Sequence, residues 1–125
     1  MSGDEPSDSP GQELGAIAAI DIGTNSIHTV LARALDQGRY EVLTREKATV
    51  RLGSGGGDMD TLDDDAIDRG IAALARAAQL AADRNALVVA VATSAVREAS
   101  NRSVFIRRAS EEAGVSVEVI SGVEE

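Results

Sequence analysis

Residues 16–22 read Ala-Ile-Ala-Ala-Ile-Asp-Ile and stop at Gly23-Thr24-Asn25-Ser26. A short, nearly all-apolar run closed by glycine and asparagine is the pattern of a buried strand entering a tight turn. The next segment, from Ser26 to Leu35, can return through that turn as a second strand. Asp36-Gln37-Gly38 is another turn signal, and Tyr40 to Thr44 starts a third strand with room to run to Leu52. Two linked hairpins make an antiparallel meander. A meander with one apolar face needs helices or a second sheet to cover it, which fixes what the rest of the chain must supply.

That supply is legible. Gly53-Ser54-Gly55-Gly56-Gly57 is a flexible loop by composition. Thr61 then has the chemistry of an N-cap, with Asp64 three positions on and acids crowding the first turn, where the helix dipole favours them. Ile67, Ile71, Leu74, Ala78 and Ala81 follow at helical spacing, which predicts a helix over 62–84. Residues 86–92 (Ala-Leu-Val-Val-Ala-Val-Ala) read as a buried strand, 101–113 as a second helix closed by Gly114, and 115–120 as a last strand. The order is β-β-β-α-β-α-β, an α/β fold in which helices pack on a mixed sheet. No repeat occurs at solenoid periods.

The 125 residues suit one domain. Residues 1–13 hold Gly, Pro, Ser and acids without periodicity and read as a solvated, disordered acidic tail, with the ordered chain at 14–125. There is no Cys, which removes disulfides, thiolate metal sites and a cysteine nucleophile. No apolar run approaches the roughly 20 residues that span a bilayer, and the start has neither a basic n-region nor an apolar h-region. The expected location is cytoplasmic. The net charge of −9 suggests a cationic partner until the acids are placed. Asp4, Glu5, Asp8, Glu13, Asp58, Asp60, Asp63, Asp64 and Asp65 account for all of the excess, and the remainder is neutral. Net charge therefore argues neither for nor against a polyanion, and no nucleic acid is expected.

Four segments carry candidate chemistry. In Asp21-Ile-Gly-Thr-Asn-Ser26 a strand delivers an acid at its end, and Gly23 lets the backbone approach a ligand. The amides and side chains of Thr24, Asn25 and Ser26 can donate to phosphate oxygens, and Asp21 can hold Mg²⁺ directly or through water. The bland alternative is an ordinary hairpin turn whose Asp and Asn satisfy their own backbone. Ala92 to Asn101 places a small polar cluster and Arg97 after a buried strand. Ligands gather at the carboxyl ends of such strands, and arginine grips phosphate bidentately; a surface strand-to-helix connection is the competing reading. Arg51, beside the glycine loop, is either a phosphate contact or a solvated edge residue. Glu124 and Glu125, in Ser121-Gly-Val-Glu-Glu, are either base candidates or solvent-exposed acids.

Other matches fail. Residues 53–57 lack the Gly-Lys-[Ser/Thr] of a P-loop, and Asp58 stands where G-x-G-x-x-G needs its last glycine. A calcium loop starting at Asp58 would need Gly at Asp63 and Glu at Arg69. His28, the single histidine, is expected to be packed or hydrogen-bonded rather than a ligand.

Taken in order, Ala-Ile-Asp-Ile-Gly-Thr-Asn-Ser-Ile-His, Val-Arg-Leu-Gly, Ala-Thr-Ser-Ala-Val-Arg-Glu-Ala-Ser-Asn and Val-Ile-Ser-Gly-Val-Glu-Glu resemble the N-terminal part of the exopolyphosphatase / guanosine pentaphosphate phosphatase family. The resemblance runs from about Ala16 to Glu125. It implies a ribonuclease H-like domain of the actin–Hsp70–sugar kinase superfamily, truncated at its C-terminal end. It implies Mg²⁺-dependent hydrolysis of terminal phosphoanhydrides in polyphosphate or guanosine pentaphosphate. By motif, Asp21, Gly23, Thr24, Asn25 and Ser26 would form the first phosphate loop. Arg97 would contact substrate, with Arg51 as a further contact, and Glu125 rather than Glu124 would be the catalytic base. Family members continue with a helix, a second loop of the Asp-x-Gly-Gly-Gly-Ser type and a second domain. The chain would then supply one wall of a cleft. Two other readings are an ATP-dependent kinase lobe of the same superfamily, permitted by the first motif, and a non-catalytic phosphate-binding fragment.

Overall fold

The computed structural model describes residues 15–53 and 61–120. The expected tail, most of the glycine loop and Glu124 and Glu125 lie outside the described residues. Five strands form one sheet: β1 (Gly15–Ile22), β2 (Ser26–Ala34), β3 (Tyr40–Thr49), β4 (Leu87–Ala92) and β5 (Val117–Val119). Three helices complete the order: α1 (Asp64–Asp83), α2 (Ser94–Glu98) and α3 (Arg102–Arg108), the last running on into a π-helical turn at Ala109–Ala113.

The sheet order is β3-β2-β1-β4-β5. The meander β1–β2–β3 is antiparallel, whereas β4 pairs parallel to β1 and β5 parallel to β4. Parallel neighbours require crossovers, and α1 and the α3 region provide them. The β2–β3 hairpin turns at Gln37 and Gly38, both left-handed (φ 64° and 72°), within a three-residue loop closed by the Leu35 amide on Arg39 O at 2.8 Å. Arg39 closes it with a hydrogen bond to Asp36 Oδ1 at 3.0 Å.

One face of the sheet is buried. Ala18, Ile20 and Ile22 of β1, Ile27 and Leu31 of β2 and Ala90 and Ala92 of β4 lie beneath the helices. Above them, α1 contributes Ile67, Ile71 and Leu74, and the second crossover contributes Phe105, Ala109 and Val115. Alternation along β1 puts every second residue on this face, as period two demands. With two aromatics in the chain, Phe105 is the largest core side chain, and it is fully buried. Gly70 is the glycine that makes room for it. A Cβ there would meet Phe105 Cε1 at 2.9 Å and Leu52 Cδ2 at 3.4 Å. That clash outweighs the roughly 1 kcal/mol a helical glycine costs. The opposite face leaves Ile17, Leu87 and Val89 exposed.

Helix ends follow capping chemistry. Asn85 is left-handed (φ 53°), and the Ala86 amide reaches back to Ala81 O at 2.8 Å, a Schellman closure for α1. Gly114 (φ 69°) ends the second crossover helix as expected. Three expectations are corrected. Helix α1 starts at Asp64 after Asp63, which makes no side-chain cap bond; Thr61 does not cap it. Leu62 is unavailable to the first turn because its amide and carbonyl are both bonded to the Asn101 side chain. Strand β3 ends at Thr49, because Val50 and Arg51 turn away to bond Asn25. His28 is exposed on the open face rather than packed. No described helix is long and apolar enough to cross a membrane.

Candidate phosphate-binding site

The carboxyl ends of β1, β4 and β5 point the same way because these strands are parallel. They meet the start of β2 and the exit of β3 at one end of the sheet. This is where the sequence candidates collect. Asp21 is exposed on the open face and pairs with His28 on β2 and Val91 on β4. The row continues outward to Lys47 on one side and Glu118 on the other.

The turn itself is built by backbone bonds. Gly23 donates to Ser26 O at 3.0 Å, closing the hairpin. The Asn25 carbonyl accepts two amides, Val50 at 2.8 Å and Arg51 at 2.9 Å, and Thr24 O accepts the Gly53 amide at 3.2 Å. The Thr93 amide, at the head of α2, donates to Ile22 O at 3.1 Å. The carbonyls of Thr24, Asn25 and Ser26 are thus engaged. Among the described residues, the amides of Thr24 and Asn25 donate to no carbonyl. Donors left over in a turn are what an anion site requires.

Two neighbours sit unusually close or strained. A Cβ on Gly53 would lie 2.5 Å from Thr24 Cγ2, so glycine is needed there for the approach. Arg51 is left-handed (φ 52°), a conformation that costs a non-glycine residue about 1–2 kcal/mol. Arg69 of α1 lies against it, donating from Nε to Val50 O at 2.9 Å and from Nη2 to Arg51 O at 3.5 Å.

A cavity of about 140 Å³ opens beside the turn, lined by Thr24, Leu52, Gly53, Leu62, Ser94 and Glu98 among others. Arg97 does not line it. Its guanidinium bonds Glu98 Oε2 at 3.2 Å and Ile120 O at 3.4 Å, and it faces a shallow groove with Arg102, Ile106, Val119 and Ile120. The Ile120 amide in turn bonds Ala92 O at 3.1 Å, which sets Ile120 at the end of β4 beside Arg97. Asp21, Gly23 to Ser26, Arg51 and Arg97 therefore share one end of the sheet, with Arg97 on the β5 side and the turn on the β3 side. No group of three His, Cys, Asp or Glu side chains occurs among the described residues. A metal here would rest on Asp21 with water and ligand oxygens, a donor set that suits Mg²⁺.

Arg69 and Asn101 were not singled out by pattern. Arg69 looks like any exposed helical arginine, and nothing local marks it. Asn101 stands where a helix start is expected, but its partner lies 39 residues away.

A family model described as the Ppx/GppA phosphatase family matches residues 30–125. Among solved structures, a Ppx/GppA protein of Aquifex aeolicus superposes with a TM-score of 0.81 at 30% identity, covering 88% of this chain and 36% of that one. An exopolyphosphatase from Cytophaga hutchinsonii gives 0.82 at 35% identity, covering 88% and 35%. An exopolyphosphatase-like protein gives 0.79 at 36%, covering 88% and 34%. The chain spans about a third of the length of the solved relatives it matches.

Proposed function

This chain belongs to the Ppx/GppA phosphatase family, and on that premise we propose that it forms the N-terminal wall of a cleft that hydrolyses terminal phosphoanhydride bonds in polyphosphate or guanosine pentaphosphate. One observation carries the reading. In the turn at residues 23–26 the carbonyls of Thr24, Asn25 and Ser26 accept hydrogen bonds while the Thr24 and Asn25 amides stay available at the sheet end that also holds Asp21, Arg51 and Arg97. A phosphate oxygen accepts from those amides and from the Thr24 and Ser26 hydroxyls. Arg51 and Arg97 offset charge on the polyanion from two sides. Mg²⁺, held by Asp21, supplies further neutralisation of the phosphate oxygens when bound.

Water is a poor nucleophile toward a polyanion, so the chain must also offer a base. Glu125 takes that role, accepting the water's proton as attack proceeds in line, with Glu124 the weaker candidate. The family model's match, which extends through the Ser-Gly-Val-Glu-Glu segment to residue 125, supports the assignment. The share of the relatives' length that this chain spans, 36% against the Aquifex protein, favours a second reading for the chain acting alone: a phosphate-binding half-site without turnover.

The test joins residues 1–125 to the part of the Cytophaga hutchinsonii exopolyphosphatase they do not cover, and follows phosphate release from polyphosphate with Mg²⁺. Release should fall at least about a hundredfold in Glu125→Gln, with polyphosphate affinity retained. Undiminished release sinks the base assignment. Sugar phosphorylation from ATP without phosphate release from polyphosphate would make the chain a kinase lobe instead. Release by residues 1–125 alone would remove the half-site reading.

A further inference from the structure

The segment Val50 to Gly53 is the wall against which the 23–26 turn is set, through three amides that donate to Asn25 O and Thr24 O. That wall bends at Arg51, whose left-handed backbone is one that L side chains avoid. Such a conformation persists only where its surroundings over-determine it. Two surroundings are internal to the wall: Val50 and Leu52, on either side, are anchored in the core. The third comes from another element. Arg69 on α1 reaches the carbonyls of both Val50 and Arg51 with one guanidinium, at 2.9 and 3.5 Å. A planar fork presents its donors to two adjacent carbonyls in fixed geometry; a lysine ammonium can donate to them too, but without that pre-organisation.

We propose that Arg69 is a positioning residue for phosphate recognition. It pins the bend at Arg51, and through the amides of Val50, Arg51 and Gly53 it sets the Asn25 and Thr24 carbonyls, the second of which shares its peptide plane with the Asn25 amide, and so fixes the turn that presents the free Thr24 and Asn25 amides. This rests on the reading of residues 23–26 as the phosphate loop. It differs from a general helix-surface role because its action is confined to one bend and one turn.

The test uses the chain itself, with Arg69→Ala, Arg69→Lys and, as a charge-matched control on the same helix, Arg76→Ala. Amide hydrogen exchange at Val50, Arg51 and Gly53 should accelerate about tenfold or more in Arg69→Ala, while the strand amides of Ile20 and Ala90 keep their rates. Affinity for long-chain inorganic polyphosphate should fall about tenfold, recover in part in Arg69→Lys, and hold in Arg76→Ala. Unchanged exchange at Val50 and Arg51 overturns the proposal. So does equal acceleration at Ile20 and Ala90, which would mean a loss of overall stability, or an equal affinity loss in Arg76→Ala. Absence of polyphosphate binding by the unaltered chain sinks the phosphate-loop reading instead, and the exchange result then decides the role of Arg69 alone.

Discussion

Asn101 and Leu62 are joined by two hydrogen bonds across 39 residues of chain: the Leu62 amide donates to Asn101 Oδ1 at 2.9 Å, and Asn101 Nδ2 donates to Leu62 O at 3.0 Å. The side-chain amide acts as a stand-in for a strand neighbour, and it lands Leu62 on the wall of the cavity beside Thr24. Leu62 is almost fully buried, so water cannot replace either bond. Asn101→Ala should therefore cost about 1–3 kcal/mol, read as a lower urea midpoint with an unchanged slope. Asn101→Asp keeps the acceptor and loses the donor, and should fall between. A midpoint that does not move in Asn101→Ala would show that the pair is not formed in solution.

Gly53 and Thr24 give a second expectation. Gly53→Ala forces a methyl group into Thr24 Cγ2 and should destabilise by about 1–3 kcal/mol. Thr24→Ser removes that methyl group, so the same alanine should cost much less in the serine background. A double-mutant cycle from urea unfolding measures the difference, which should reach about 1 kcal/mol. Additive effects would mean that the two residues do not touch.

Arg97 can be tested for ligand contact separately from packing. Arg97→Ala should weaken polyphosphate binding by about tenfold, and Arg97→Lys by less, because charge survives but the bidentate grip does not. Arg97 is only 22% exposed and holds Ile120 O at 3.4 Å, so the unfolding midpoint, read alongside affinity, reports its packing separately. A large loss of stability with little loss of affinity would reassign Arg97 as a strut for β5.

Acid titration isolates one surface link. Arg108 donates to Glu112 Oε2 at 2.8 Å and to Asp68 Oδ1 at 2.9 Å, tying the second crossover to α1. The hydrogen bonds from Arg108 hold the Glu112 carboxyl below its ordinary value of 4.5. A group whose folded pKa is depressed stabilises fully above its unfolded value, and that part is lost as pH falls through the lower folded value. Thermal midpoints of the wild type should thus decline below pH 4.5 more steeply than those of Glu112→Gln, and the two curves should converge in stronger acid. Parallel curves would remove the link. The effect is small, because exposed pairs are screened.

The strands, α1 and the order of elements were legible because periodicity reports burial directly. Ile20, Ile22 and Ile27 fall on the face that alternation assigns, and Ile67, Ile71 and Leu74 on the helical stripe. What escaped was set by partners distant in sequence. The start of α1 moved from Thr61 to Asp64 because Asn101 claims Leu62. The end of β3 moved from Leu52 to Thr49 because Asn25 claims Val50 and Arg51. Helix α2 is five residues long, too short to show a period, and it was read as a connection. The turn at residues 23–26 was found for its glycine and its polar side chains. The feature that makes it a candidate anion site, the Thr24 and Asn25 carbonyls engaged and their amides left over, depends on the 50–53 wall.

The Gln37-Gly38 hairpin has a practical consequence. It closes the end of β2 remote from the 23–26 turn, and the nine residues of β2, at about 3.3 Å each, separate the two by roughly 30 Å. Its two left-handed residues are exposed, and the Asp36–Arg39 closure lies within the loop. A fluorophore or surface tether introduced at Gln37 would hold the molecule by its far end and leave the 23–26 turn facing solution, which makes the position a natural handle for binding measurements.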